Sequence, residues 1–362
     1  MEERMPDGFR RDKPMARNKP AAQGAEPVNI ALFDASTLVG KGVKTHLRKR
    51  GFPIGQVSAF DTGAMEEGGN LTEFNGEAML AVRPDPDAMS QVQLAFFCGE
   101  SGAGEDYLDW PGRGGYTAID LTQSANRRES IPVVNAAVNP EDIPRGPGMV
   151  ASPHPISQFL STFLAPLARA LPVEEAVSVV MQPASEAGEK GIEELYKQTV
   201  GVLSFEEAPK QRLNRVLAFN LLPAWLGAGT GFGEEAISRE VQTILGGRPF
   251  LHAVRVLLVP VFHCHSFYCW VRFSRAPEEA EIRKVLGSEG NLKFLQGPGA
   301  ATPAELAGEE GIFLAERRDP TNPNGVWFWG VTDNLATGSA LNAVRLAENL
   351  RNSGLLARRR SA

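Results

Sequence analysis

A chain of 362 residues, 43% of them hydrophobic, is long enough to bury two cores, so two domains are expected. Its net charge of -6 excludes a broad nucleic-acid footprint, which needs a surplus of Lys and Arg. Three cysteines, Cys98, Cys264 and Cys269, do not suit a disulfide framework and point to free thiols in a reducing cytoplasm.

Residues 1–26 mix charges of both signs with Pro and Gly and contain no apolar run, which predicts a disordered tail and not a signal peptide. No later segment approaches the roughly 20 apolar residues that a membrane helix requires. Val28 to Phe33 reads as a buried strand, and Leu38, Val39, Val43 and Leu47 then recur at helical spacing. Gly51-Phe52-Pro53 stops that helix. Gln56 to Phe60, Val92 to Cys98 and Tyr116 to Leu121 follow as further strands, an alternation that predicts a largely parallel, doubly covered sheet.

The Pro-rich stretch from Asn139 to Pro155 marks a change of architecture. Beyond it are a helix from about Ile156 to Leu171, a strand at Ala176 to Gln182 and a helix near Gly191 to Val200. Val254 to Phe262 and His265 to Phe273 are rich in branched and aromatic residues, which favours an extended mixed or antiparallel sheet. Trp327 to Val331 adds a strand. The last helix spans Gly338 to Leu350, with Leu341, Val344, Ala347 and Leu350 on one face. No internal repeat is evident.

Several strings give these elements a family likeness. They include Gly51-Phe52-Pro53, Val138-Asn139-Pro140-Glu141-Asp142-Ile143, Gly191-Ile192-Glu193-Glu194-Leu195 and Ala218-Phe219-Asn220-Leu221-Leu222-Pro223. Val259-Pro260-Val261-Phe262 with His265-Ser266, and Asp333-Asn334-Leu335 before Gly338, complete the set. Together they resemble aspartate-semialdehyde dehydrogenases, enzymes of NADP and a catalytic cysteine, and most of all the divergent Usg-type branch. The resemblance implies an α/β chain: a Rossmann-like nucleotide domain plus an α+β dimerisation domain with a large mixed sheet. It divides the chain into a tail (1–26), a dinucleotide-binding domain (27–151, completed by a C-terminal helix, 333–356) and a dimerisation domain (152–332).

The same resemblance implies that the catalytic machinery is depleted. The family nucleophile is a thiolate in an Asn-Pro-Asn-Cys-type turn at a helix start; here Ser152-Pro153-His154-Pro155 places Pro155 at the cysteine position. The family arginine before Val-Pro-Val is Leu258, and the Glu-x-x-Lys cluster keeps its acids, Glu234 and Glu235, without the lysine. Arg127 and Arg128 lie near a family arginine that binds phosphate, and Arg127, Glu234 and Glu235 are the candidate substrate contacts. His265 and Gln182 occupy the general-base and substrate-glutamine positions. Of the Gly-x-x-Gly-x-x-Gly loop only Gly40 remains, with Asp34 and Thr37 in place of glycines. Asp34 sets a charge where a pyrophosphate would sit, and no arginine near Asp61 and Thr62 offers to receive a 2′-phosphate. Asp333, Asn334 and Gly338 resemble the segment that reaches the nicotinamide.

Together these features predict a catalytically inactive homodimer in the cytoplasm, acting as a binding or scaffold protein for a small acid or nucleotide, with NADP or NAD held weakly if at all. The alternative is an NAD(P)-dependent oxidoreductase of an aldehyde or acyl phosphate with a replaced nucleophile, and a third possibility is regulation of a partner dehydrogenase subunit. His263-Cys264-His265 supplies too few ligands for a metal, and none is expected.

Overall fold

A computed structural model describes residues 26–63, 70–226, 233–248, 250–295 and 301–356. Residues 1–25 of the expected tail, and the basic run Arg358-Arg359-Arg360, lie outside the described residues.

The first part of the chain forms a five-stranded parallel sheet. Strand β1 (Val28–Phe33) leads through helix α1 (Leu38–Lys49) to β2 (Ile54–Phe60). A hairpin of β3 (Asn70–Phe74) and β4 (Glu77–Ala81) follows, then β5 (Leu94–Phe97), α2 (Trp110–Gly114), β6 (Thr117–Asp120) and β7 (Gly148–Ala151). The strand order β2-β1-β5-β6-β7 is all parallel. Every residue of β1, β5 and β6 is buried, as a parallel sheet covered on both faces requires.

The second part is a seven-stranded mixed sheet. Helix α3 (Pro155–Ala170) precedes β8 (Val173–Gln182), α4 (Gly188–Leu203), β9 (Leu222–Pro223), α5 (Glu234–Ile244), β10 (Leu251–Leu258) and β11 (His265–Phe273). Next come α6 (Glu279–Gly287), β12 (Leu292–Phe294), α7 (Pro303–Leu306), β13 (Ile312–Arg318), β14 (Gly325–Thr332) and α8 (Ser339–Asn352). Although β10 and β11 are neighbours in sequence, β8 lies between them, parallel to the first and antiparallel to the second. The strand expected over Val254 to Phe262 ends at Leu258, because the chain turns at Pro260, which has no N–H for a ladder, and Val259 donates instead to the Gln182 carbonyl (3.1 Å).

Ile156, Phe163, Ile237, Val241, Ile282 and Leu286 of α3, α5 and α6 pack with Val254, Phe267 and Phe328 from one face of this sheet. The opposite face carries Tyr268, Trp270, Trp327 and Trp329, of which Tyr268 is 46% and Trp327 39% exposed. Helix α8 returns to the parallel sheet: Ala343, Val344, Ala347 and Leu350 share a core with Val43 and Leu47 of α1. Arg50, just past α1, closes the contact with a bidentate pair to Glu348 at 2.8 and 2.7 Å.

Candidate functional site

A cavity of about 770 Å³ lies where the carboxyl end of the parallel sheet meets the loops that leave β8 and β10. The amino ends of four helices reach its wall, through Leu38 of α1, Pro155 of α3, Glu189 of α4 and Ser339 of α8. Unpaired N–H groups at helix starts favour negative charge, and Arg127, Lys190 and Arg212 lie on the same wall. Glu100, Glu186 and Glu189 are its acids. Glu100 pairs with Arg212 (3.1 Å) and Lys190 (4.0 Å), and Glu189 with Lys41 (2.5 Å).

The amino end of α3 carries Pro155, whose side chain has no nucleophilic atom. Pro155 is its first residue, where a missing N–H costs no helical bond. His154 caps the helix, its Nδ1 accepting the Ile156 N–H (3.2 Å), while its own N–H donates to Glu240 on α5 (2.9 Å). The three cysteines are buried free thiols, and Cys98 contributes to the cavity lining. Burial pushes Cys264 and Cys269 up to about 12 and Cys98 higher still, so none is poised as a thiolate.

The retained polar positions divide. Gln182 and Asn334 line the cavity with Arg127, and Asn334 accepts the Ser185 hydroxyl (3.1 Å). His265, fully buried on β11, is not in the lining and stands behind Glu186. Asp333 is occupied structurally: it accepts the N–H of Gly308 (2.6 Å) and of Leu335 (2.7 Å). Gly338 is required by space, since a Cβ there would stand 2.1 Å from the Asn334 carbonyl oxygen. Glu234 and Glu235 are not brought to the cavity among the described residues; Glu234 accepts the Val256 N–H (2.8 Å) and pairs with Arg255 (3.4 Å), while Glu235 is exposed. Leu258 takes the expected position on the wall, buried with Ala187, Leu195 and Leu213. Arg128 turns outward to Asp109 (3.0 Å).

The nucleotide loop satisfies itself. Thr37 accepts the Gly40 N–H (3.0 Å) and donates to the Cys98 carbonyl (2.7 Å), so one donor at the α1 amino end is capped internally. Gly40 is glycine for close packing, because a Cβ would meet Ala35 at 2.7 Å. Asp34, at φ +54°, does not line the cavity; its carboxylate accepts the backbone N–H and the hydroxyl of Thr62, both at 2.8 Å. Burial raises its pKa, against the two Thr62 bonds, and nearby Asp61 adds to the rise.

Two contributors to the cavity, Arg212 and Glu186, escape the sequence reading. Glu194 of α4 accepts the N–H of Arg212 (2.6 Å) and Leu213 (3.1 Å), and Gln198 accepts those of Leu217 (2.7 Å) and Ala218 (3.2 Å). These bonds hold the loop after α4 so that the Arg212 side chain reaches the cavity, where Nε donates to the Ala187 carbonyl (3.0 Å). The second is Glu186. Its neighbours Ala184 and Ser185 donate to the carbonyls of Val261 (2.8 Å) and Phe262 (3.0 Å), which places its carboxyl between two buried imidazoles, 3.6 Å from Nε2 of His154 and of His265. Among the described residues no group of three or more His, Cys, Asp or Glu is placed to hold a metal ion.

The family model described as the semialdehyde dehydrogenase dimerisation domain matches residues 164–337. An aspartate-semialdehyde dehydrogenase of Rickettsia conorii is 27% identical over 337 residues, covering 90% of this chain and 98% of the relative. A solved aspartate semialdehyde dehydrogenase II of Vibrio cholerae, complexed with ASA, superposes with a TM-score of 0.82 at 26% identity, covering 91% of this chain and 99% of that one. Along 90% of its length the chain is similar to the aspartate-semialdehyde dehydrogenase family. Its Usg-type character accords with a USG-1 protein homolog of Pseudomonas aeruginosa, 27% identical over 334 residues, 90% of this chain and 98% of that protein. Pro155, Leu258 and Thr37, the positions at which the sequence resemblance implies a cysteine, an arginine and a glycine, all line the cavity. No described helix is long and apolar enough to cross a membrane.

Proposed function

We propose that this chain is a non-catalytic member of the family, a homodimeric binding protein that holds a small acid or nucleotide in the cavity without covalent chemistry. The observation that carries this reading is Pro155 at the amino end of α3, the place where the dipole would stabilise a thiolate and where the side chain has no nucleophilic atom. The internally capped α1 and the Asp34–Thr62 bonds support weak dinucleotide binding, so neither NADP nor NAD is assigned as a resident cofactor.

The division into a nucleotide unit (27–151 with 333–356) and a dimerisation unit (152–332) belongs to the same proposal, supported by the packing of α8 on α1. The aromatic sheet face at Tyr268 and Trp327 supports pairing with a second copy, since such a face gains by being covered. Three free, buried thiols suit the cytoplasm.

One observation favours the oxidoreductase alternative: Gln182 and Asn334 still share a wall with Pro155. The two readings are separated by assaying phosphate- and NADP-dependent oxidation of aspartate semialdehyde and, on the same preparation, identifying co-purified small molecules by native mass spectrometry. The binding-protein reading expects no turnover and a retained ligand. Turnover that survives rigorous removal of contaminating enzyme would overturn it.

A further inference from the structure

The Glu186 carboxyl is a buried acid with an open side. Its side chain is 7% exposed and lines the cavity, yet no hydrogen bond joins it to any described residue. Its nearest polar neighbours, Nε2 of His154 on Oε1 and Nε2 of His265 on Oε2, are each 3.6 Å away, beyond hydrogen-bond length. Because Nδ1 of His154 accepts the Ile156 N–H, a neutral His154 carries its proton on Nε2, toward Oε1. That leaves Oε2 as the oxygen for Glu186's own proton.

On α5, Glu240 accepts the His154 N–H; on α4, Glu189 pairs with Lys41 and Lys190 with Glu100; after α4, Arg212 pairs with Glu100. None of these cations is paired with Glu186 among the described residues. An ionised carboxylate here would want several donors and has none within reach, whereas a neutral acid needs a single acceptor. Across the cavity, Arg127 has no ion-pair partner among the described residues.

We infer that Glu186 meets the ligand as a neutral carboxylic acid, and that the ligand is a small oxyanion, a carboxylate or phosphate, accepting the Glu186 proton while Arg127 and Arg212 offset its charge. This rests on reading the cavity as a ligand site. Burial supports it by raising the Glu186 pKa to about 7. A glutamine side chain presents N–H donors that do not titrate, so Glu186→Gln should mimic the neutral acid at every pH, while Glu186→Ala should not.

The test is calorimetric titration of full-length wild type, Glu186→Gln and Glu186→Ala with succinate and, separately, with inorganic phosphate, the two arms distinguishing the sources of the oxyanion. Wild-type affinity for the preferred anion should fall at least about tenfold between about pH 6 and about pH 8.5, as the acid ionises. Glu186→Gln should hold its affinity across that range, apart from any change due to phosphate's own ionisation, and Glu186→Ala should bind weakly throughout. Equal falls in wild type and Glu186→Gln, or a flat wild-type profile, would overturn the role of Glu186. Failure of both anions to bind wild type at about pH 6 would overturn the ligand class; a molecule of other chemistry retained in native mass spectra would then leave the binding-protein reading standing. Infrared difference spectra give an independent readout: at about pH 6 wild type should show a protonated-carboxyl carbonyl band that Glu186→Gln lacks, over and above any band the two proteins share.

Discussion

Oε2 of Glu186 lies 3.6 Å from Nε2 of the fully buried His265, and the pair sets opposite pH dependences against each other. Burial raises Glu186 from 4.5 to about 7 and lowers His265, and likewise His154, from 6.5 to about 3. A carboxyl raised in the folded state contributes stability that is complete below its unfolded pKa and is lost as pH rises through the folded one, here from about 4.5 to about 7. The neutral histidines contribute stability that is complete above 6.5 and is lost as pH falls toward about 3. Glu186→Gln deletes only the first dependence. Relative to wild type, the variant should therefore gain stability between about pH 4.5 and pH 7, on the order of 3 kcal/mol. Denaturant midpoints of both proteins across that range check the sign, and a constant difference between them would contradict it.

Asp34 should be a structural residue first. It stands at φ +54° and holds Thr62 through two bonds of 2.8 Å, joining the loops after β1 and β2. Asp34→Ala loses both bonds and leaves a Cβ in the left-handed region, a cost of about 2 to 4 kcal/mol in urea unfolding. Asp34→Asn, which tolerates that conformation and keeps one acceptor, should cost less than half as much. If the alanine variant is as stable as wild type, the Thr62 bonds contribute little.

NADP should bind weakly even to Asp34→Gly. Thr37 still caps the Gly40 N–H, and Asp61 remains at the end of β2, where a carboxylate suits a ribose hydroxyl and repels a 2′-phosphate. Calorimetry should give a dissociation constant well above micromolar for wild type and for the glycine variant alike. A sub-micromolar value for either would show that the loop still receives a pyrophosphate.

The apolar runs made the parallel sheet legible in the sequence: β1 and β5 are buried along their whole length, and the strand expected at His265 to Phe273 has those bounds. The separate hairpin β3–β4 and strand β13 were not legible: Asn70 to Phe74 is half-exposed, and β13, although paired on both sides, ends in Glu316-Arg317-Arg318, so neither carries a continuous apolar signal. Helices α5 and α6 alternate charge with apolar residues densely enough to pass for loop. At the cavity, Pro155, Leu258 and Gln182 could be placed from the motif strings alone. Glu186 and Arg212 could not, since each acquires its position from long-range bonds, Ser185 to Phe262 and Glu194 to Arg212, that no local spacing announces. The acids Glu234 and Glu235 failed to arrive for the same reason: the Val256 N–H and Arg255 claim Glu234.

A charge on the open sheet face should separate the copies. Tyr268 and Trp327 lie on adjacent strands of that face with their rings 6.3 Å apart, edge to face. Trp327→Glu places a carboxylate in an apolar contact and, in a two-fold pair, does so twice. Light scattering at micromolar concentration should report a dimer for wild type and a monomer for the variant, with the circular dichroism of both alike. A wild-type monomer across that range would remove the dimer from the proposal.

Restoring the cysteine alone should not restore catalysis. Pro155→Cys would put a thiol at the first turn of α3, where the helix dipole favours the thiolate and where proline's loss costs no internal bond. The neighbourhood opposes it. An ionised Glu186 raises a nearby thiol's pKa, and a neutral one leaves His265 behind it as the base, already lowered to about 3 by burial and a poor proton acceptor near neutrality. Substrate would also lie loosely, because Leu258 is packed with Leu195 and Leu213 and offers no fork for a carboxylate, and misplacement forfeits a proximity contribution of roughly 7 to 11 kcal/mol. Phosphate-dependent formation of NADPH from aspartate semialdehyde should stay at the blank for wild type and Pro155→Cys. Pro155→Cys with Leu258→Arg should also be silent, and less stable by several kcal/mol as a guanidinium enters an apolar cluster. The same Pro155→Cys variant should nevertheless be alkylated by iodoacetamide faster than the three buried native thiols, which confirms that the new sulfur faces the cavity. Turnover by the single variant at an ordinary enzymatic rate, about 1 per second or more, would mean that Leu258, Thr37 and Glu186 are all compatible with catalysis and that proline alone silences the site.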